Sequence, residues 1–300
     1  MRRWFWTGLA LFSTGVAARG PERELTVDVD ATLPSTVNGR PTRLRVDPSA
    51  VAMPAVAAEL AAGAGLEAGP FDVTYTIGSV VLEGRTALGR IDLGQGPQLR
   101  RIAWFDRRWD RDAETVVGPG GVPAAVVRFR LRPARAGERV AVLPMTGQGG
   151  LEDRWAGLYA VAELDGRPIR VRFDPRRATT ATASTGLVLA RVHDGVAEGP
   201  TFSAEIAFGV ERPVRALRLA RPFAVGPLRL NRLLVRVADH GNASAMAATR
   251  TPRDPDEVVV TGRRKRDRDK DRIVLGRDHL DRCSSITFDK LAKQVRLSCL

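Results

Sequence analysis

The stretch Val37-Asn38-Gly39-Arg40-Pro41-Thr42-Arg43-Leu44-Arg45-Val46-Asp47-Pro48 decides the fold, because its pattern occurs twice in the chain. Leu164-Asp165-Gly166-Arg167-Pro168-Ile169-Arg170-Val171-Arg172-Phe173-Asp174-Pro175 repeats the same order of residue types. Asn-Gly and Asp-Gly suit tight hairpin turns whose two central positions need positive φ. The residues that follow alternate between apolar side chains and arginine, the period-two pattern of a strand with one buried and one solvated face. Each strand then delivers an aspartate followed by proline, which reads as a turn. Ser49 comes next in the first copy and Arg176 in the second.

Two further correspondences lie downstream in the same order. Residues 86–105 read as two strands around a Gly-rich turn, and residues 221–237 have the same shape. Val116-Val117-Gly118 leads into a Gly- and Pro-rich turn and a strand over 125–131; Val274-Leu275-Gly276 leads into Arg277-Asp278-His279-Leu280 and a strand over 285–288. Three matches in one order imply an internal duplication. The Gly-rich stretch 147–153 reads as the linker, giving halves over 22–146 and 154–300. With 29 Gly, 19 Pro and many short Val/Leu/Ile/Arg runs, the composition favours an all-β fold. The Ala-rich segment 53–64 predicts a helix behind the first aspartate loop, with no counterpart in the second half.

Arg2 and Arg3 precede an apolar run from Trp4 to Val16 that ends in Val16-Ala17-Ala18. This is the layout of a signal peptide over 1–18, with a retained membrane anchor as the alternative. No other stretch is long and apolar enough to span a bilayer, so no membrane span is expected after its removal. Such a chain is exported, to the periplasm or the extracellular space. Cys283 and Cys299, the two cysteines, flank a segment that reads as a β-hairpin. A disulfide would pin its outer ends, with free thiols or metal ligation as the alternatives.

The formal charge of +13 raises the question of nucleic acid. The arginines are spread along strand-like runs such as Arg43-Leu44-Arg45 and Arg128-Phe129-Arg130, which reads as solvated strand faces. No nucleic-acid partner is expected. The one basic block, 262–272, is diluted by three aspartates and reads as a solvated loop, with contact to an anionic surface as the minority alternative. Residues 239–256 read as a second long loop. His193, His240 and His279 have no metal-ligand spacing and read as surface or turn histidines, and no cofactor motif occurs, so neither metal nor cofactor is expected.

The order of turn, strand, Asp loop, hairpin, two apolar residues plus Gly and short helix resembles the retropepsin-like aspartic proteases. Residues 273–297 are most similar to that family's closing segment, and the segments around Asp47 and Asp174 resemble its Asp-Thr/Ser-Gly-Ala loop. The resemblance implies a two-lobed acid-protease-like fold with both halves in one chain, acting as a monomer, and an extended peptide or protein segment as the partner in the inter-lobe cleft. It implies Asp47 and Asp174 as a catalytic dyad sharing one proton and activating a water. Gly118 and Gly276 match its glycine turns. A hairpin over 76–83, turning at Gly78, would be its flap.

The departures fall on the residues that chemistry needs. Pro48 and Pro175 stand where the family has Thr or Ser, and Ser49 and Arg176 where it has Gly. A Cβ at those positions is expected to keep the backbone N–H from the carboxylate. An arginine at 176 or 177 is expected to lower the pKa of Asp174, against a shared proton. The resemblance therefore implies a catalytically impaired pseudo-peptidase that binds extended peptide. An active, divergent aspartic endopeptidase is the first alternative, and a structural envelope protein without a peptide ligand is the second.

Overall fold

The computed structural model describes residues 24–147, 157–237, 239 and 272–300. The expected signal peptide, most of the linker, nearly all of the loop 239–256, and the basic block except Arg272 lie outside the described residues. Among the described residues those in strands far outnumber those in helices, so the fold is all-β.

The chain opens with β1 (Glu24–Asp28), then runs through β2 (Leu33–Val37), β3 (Arg40–Val46), β4 (Ala55–Ala57), α1 (Ala58–Gly63), β5 (Asp72–Ile77), β6 (Val80–Asp92), β7 (Pro97–Phe105) and β8 (Thr115–Val117). These pair in the order β2-β3-β8-β4-β7-β6-β5. After β9 (Val126–Arg130) and β10 (Arg139–Thr146) come β11 (Tyr159–Leu164), β12 (Arg167–Asp174), β13 (Thr180–Ala181), α2 (Ala183–Val192), β14 (Gly195–Ala207), β15 (Val210–Val225), β16 (Leu228–Arg236) and β17 (Arg272–Gly276). Their order, β11-β12-β17-β13-β16-β15-β14, is the first order again, element for element. The chain ends with α3 (Arg277–Leu280), β18 (Cys283–Asp289) and β19 (Gln294–Cys299).

The local reasons are those of the repeated stretch. Asn38 and Gly39 turn with φ of 48° and 82°, and Asp165 and Gly166 with 56° and 68°. Each turn joins antiparallel partners, β2–β3 and β11–β12. β3 then pairs in parallel with β8, and β12 with β17, so each aspartate comes level with a glycine. A Cβ on Gly118 would strike the Ala50 carbonyl, and one on Gly276 would strike the backbone of residues 177–179. These two glycines are close approaches of backbone to the aspartate loops, not flexible points.

A third, joining set of strands, ordered β1-β9-β18-β19-β10, continues the second series into one twelve-stranded sheet through the β10–β11 pair, while the first series is a separate seven-stranded sheet that meets it by packing. Phe288 stacks edge-on against Phe129 at 5.8 Å and Phe173 at 6.0 Å, and all three rings are fully buried. One core therefore runs from the joining sheet into both series, with Leu44, Ile91, Ile102, Val171, Leu217 and Leu233 among its members.

Three expectations need correcting. The predicted helix over 53–64 is shorter, because Ala55–Ala57 is drawn into the sheet between β8 and β7. The second series does have a helix, α2, missed because ASTGLVLARV combines Thr, Gly and Val, all weak helix formers. Packing decides it: a Cβ on Gly186 would strike Val235, so the helix lies hard against β16. Finally, the strand arginines are not all solvated. Arg45 and Arg172, each two residues before its aspartate, are both 6% exposed.

Cys283 and Cys299 form the disulfide across the open end of the β18–β19 hairpin, at a sequence separation of 16. Loop-closure entropy makes such a bond worth about 3 kcal/mol. The double variant Cys283→Ala/Cys299→Ala should unfold at a distinctly lower temperature than the oxidised protein. Calorimetry with and without reductant checks this; equal melting temperatures for all three samples would show that the bond contributes nothing.

Candidate functional site

The two aspartate loops are built alike. The N–H of Ala50 donates to the Asp47 carbonyl at 3.1 Å, and that of Arg177 to the Asp174 carbonyl at 3.3 Å. Each loop is thus a turn with Asp first and Pro second, where a φ near −65° is already the one required. Pro48 and Pro175 pre-form the loops rather than disrupt them. The third residue, Ser49 or Arg176, donates its backbone N–H to its own aspartate's Oδ1, at 2.7 Å and 3.1 Å. The expected interference from a Cβ at these positions does not occur.

Beyond the turn the loops differ. Ala55 and Thr180 hold matching places against β8 and β17, so the first loop is the longer one. Thr179 fills the tighter second loop. Its Oγ1 accepts from the Gly276 N–H at 2.8 Å and pairs with Asp278 and His279 at 2.7 and 2.8 Å. His279, read as a surface or turn residue, is buried by this contact. His193, at the end of α2, holds the Arg221 carbonyl at 2.9 Å, and His240 lies outside the described residues.

The side chains above the loops form a chain of alternating charge. Asp47, 1% exposed, accepts from the Ser49 hydroxyl at 2.7 Å, Trp109 Nε1 at 3.3 Å and the Arg176 guanidinium. Arg176 reaches Asp110 with its other terminal nitrogen, and Asp110 also takes Arg45 at 2.8 Å. On the other side Arg177 bridges Asp174 at 2.7 Å and Glu205 at 2.6 Å, and Arg111 lies 3.6 Å from Glu205. Arginine and carboxylate alternate along the whole run.

Burial alone would raise Asp110, but the Asp112 N–H and the Arg176 and Arg45 guanidinium groups hold it below the usual carboxylate range. Asp174 goes the other way. Burial, then the charge of Asp47, push its carboxyl up, and Arg177 and Arg176 only oppose this. The expected lowering of Asp174 is therefore reversed, and the two aspartates feel one another's charge.

Two hairpin tips meet over this chain. The β5–β6 tip turns at Gly78 (φ 63°), as expected for a flap-like hairpin, and the β14–β15 tip turns at Phe208 (φ 54°) in the matching place. A bulky residue in the left-handed region is strained. Burial offsets it: the Phe208 ring, 2% exposed, packs 4.7 Å from Trp109, 4.9 Å from Phe105 and 5.1 Å from Tyr75. Together with Met53, Ile77 and Val116 these make a second apolar cluster that caps Asp47.

Asp110, Phe208 and Tyr75 were not singled out from the sequence. The one available signal for Asp110 was Arg45, whose place before a buried aspartate called for a carboxylate partner. Among the described residues no group of His, Cys, Asp or Glu could hold a metal ion, and no helix is long and apolar enough to cross a membrane. No family model matches the chain, and no curated protein matches it.

Two outcomes follow from the charges. Arg176→Met leaves two buried carboxylates without their shared cation and should cost about 3–5 kcal/mol. Asp110, whose pKa is depressed, contributes stability above the ordinary carboxylate pKa and loses it in acid. Denaturant melts should therefore show the deficit of Arg176→Met at neutral pH and its narrowing as pH falls; a constant deficit would mean that Arg176 acts by packing alone. Asp174 has the opposite sign. Between its ordinary and its raised pKa the folded state holds the extra proton, so stability falls as pH rises through that window. Asp174→Asn should lack this fall, and parallel melting curves against pH for variant and wild type would contradict it.

Proposed function

We propose that this chain is a catalytically silent member of the retropepsin-like aspartic-protease group, exported, and built from two repeats that bind extended peptide between them. The common strand order of the two series and the two Asp-Pro turns support the duplication and the resemblance. The disulfide supports export.

One observation carries the loss of catalysis: the Arg176 guanidinium sits on Asp47 Oδ2 and on Asp110. A dyad of this type needs one proton shared between two carboxylates and a water between them. On Asp47, Ser49 occupies one oxygen, and Arg176 and Trp109 occupy the other. Arg177 and the Arg176 N–H take both oxygens of Asp174. Asp47 thus has two donors on each oxygen and no acceptor position left for a water shared with Asp174. The raised Asp174 is the remnant of the shared-proton arrangement, and it favours the active reading only if the guanidinium groups can leave.

Peptide binding rests on the neighbouring hairpins. Both tips project over the aspartate loops and are held by aromatic contacts, which a ligand strand of similar apolar character can replace.

The purified protein should not cleave denatured casein or haemoglobin at any pH from strongly acid to neutral, while a fluorescent library of extended peptides should show saturable binding. Pepstatin-sensitive cleavage that disappears in Asp47→Asn and in Asp174→Asn would overturn the silent reading in favour of an active endopeptidase. Neither cleavage nor binding would leave the structural role.

A further inference from the structure

The aspartate chain is balanced in charge. A few residues away lies a cluster that is not. Arg172, fully enclosed, points its two terminal nitrogens at tyrosine hydroxyls, Tyr75 at 2.8 Å and Tyr159 at 2.5 Å. No carboxylate meets it among the described residues. Its guanidinium and that of Arg272 also face the Tyr159 ring, at 4.8 and 5.3 Å. Arg272 Nε is buried with no hydrogen-bond partner, although the residue as a whole is only half-buried. Arg236 stands close enough for its charge to act on Arg272. Among the described residues Asp239, 2.7 Å from Arg236, is the one carboxylate in the group.

Such a concentration of cations is costly without counter-charge. Burial and the Arg172 charge push Arg272 down. Burial opposes ionisation of Tyr159, yet Arg172 and Arg272 hold that phenol below its ordinary range. Both tyrosine hydroxyls accept from Arg172 and so keep their own protons to donate. The arginine N–H groups and two phenol O–H groups gathered about Arg172 and the Tyr159 ring are the kind of donors an oxyanion needs.

The place matters. Tyr75 belongs to the β5–β6 hairpin and stacks on Phe208 and Trp109, so the same ring borders the cap over Asp47. Gly157 lies between Arg172 and the Ala50 carbonyl of the first aspartate loop, where a Cβ would come within 3.1 and 3.3 Å of them. Tyr75 and Arg272 are each half-buried rather than enclosed.

We propose that Arg172, Arg272 and Arg236, with the hydroxyls of Tyr75 and Tyr159, form a binding site for an oxyanion, a carboxylate or a phosphate. Peptide as its carrier, through an acidic side chain, rests on the function proposed above; the site itself does not. No covalent step is involved: the ligand's oxygens replace water on donors already in place.

The full chain is titrated with three probes: inorganic phosphate against a sodium chloride control of equal ionic strength, a capped apolar heptapeptide with a central glutamate, and the same peptide with glutamine there. Phosphate should raise the melting temperature, and the glutamate peptide should bind about ten-fold or more tightly than its glutamine twin. Arg272→Gln and, independently, Tyr75→Phe should remove the phosphate shift and reduce the peptide ratio toward one. Two variants of different chemistry guard against a folding defect in either, which circular dichroism would reveal. A phosphate shift with no binding of either peptide supports the site with a free anion as ligand and sinks the peptide reading. Equal affinity for both peptides with no phosphate shift overturns the site and leaves peptide binding standing. No response to any probe overturns both.

Discussion

Everything at the centre of this molecule depends on one cation from the second series of strands reaching into the first. Arg176 follows Asp174-Pro175 in sequence, yet its guanidinium lies on Asp47 and Asp110. Two carboxylates buried together repel, and burial penalises each charge. A single planar group with donors at two ends answers both needs, and only a side chain as long as arginine spans them. The same contact ties the two series at the point where their aspartate loops face each other. Arg177 repeats the device one residue later, between Asp174 and Glu205.

The balanced chain and the unbalanced cluster follow from one substitution pattern. Both repeats carry an inward arginine two residues before the aspartate. Arg45 meets Asp110, a carboxylate. Among the described residues Arg172 meets no carboxylate, and hydrogen-bonds the phenols of Tyr75 and Tyr159. Equivalent backbone positions have thereby acquired different electrostatic characters, one closed by an internal partner and one left with donors to spare. The hairpin tips show the same divergence: Gly78 turns freely in one, while Phe208 accepts a strained conformation in the other so that its ring can fill the space above Asp47.

How far the sequence revealed this can be told residue by residue. Asn38-Gly39 and Asp165-Gly166 announced their hairpins because few other dipeptides tolerate two positive φ values. Cys283 and Cys299 announced the end of a hairpin because strand period and spacing agreed. Period two shows which residues share a face but not which face is solvated, so Arg45 and Arg172 were placed on the wrong side. The helix α2 has no propensity signal and exists through contacts with strands distant in sequence. The reach of Arg176 was not legible either, since a side chain's partner across two halves depends on how the halves pack. The reversed pKa of Asp174 has the same origin: the local rule about a neighbouring arginine was outweighed by enclosure and by Asp47.

The joining sheet has a temporal consequence. β9 pairs with β18, and β10 with β19, so strands made before residue 147 are completed by the last strands of the chain. Neither series can close its core against that sheet until residues 283–299 have been made. Assembly is therefore governed by contacts of very long sequence separation, which are slow to find and leave unpaired strand edges in the interval. The early half of such a chain waits for β18 and β19 and is the part most in need of protection until they are made.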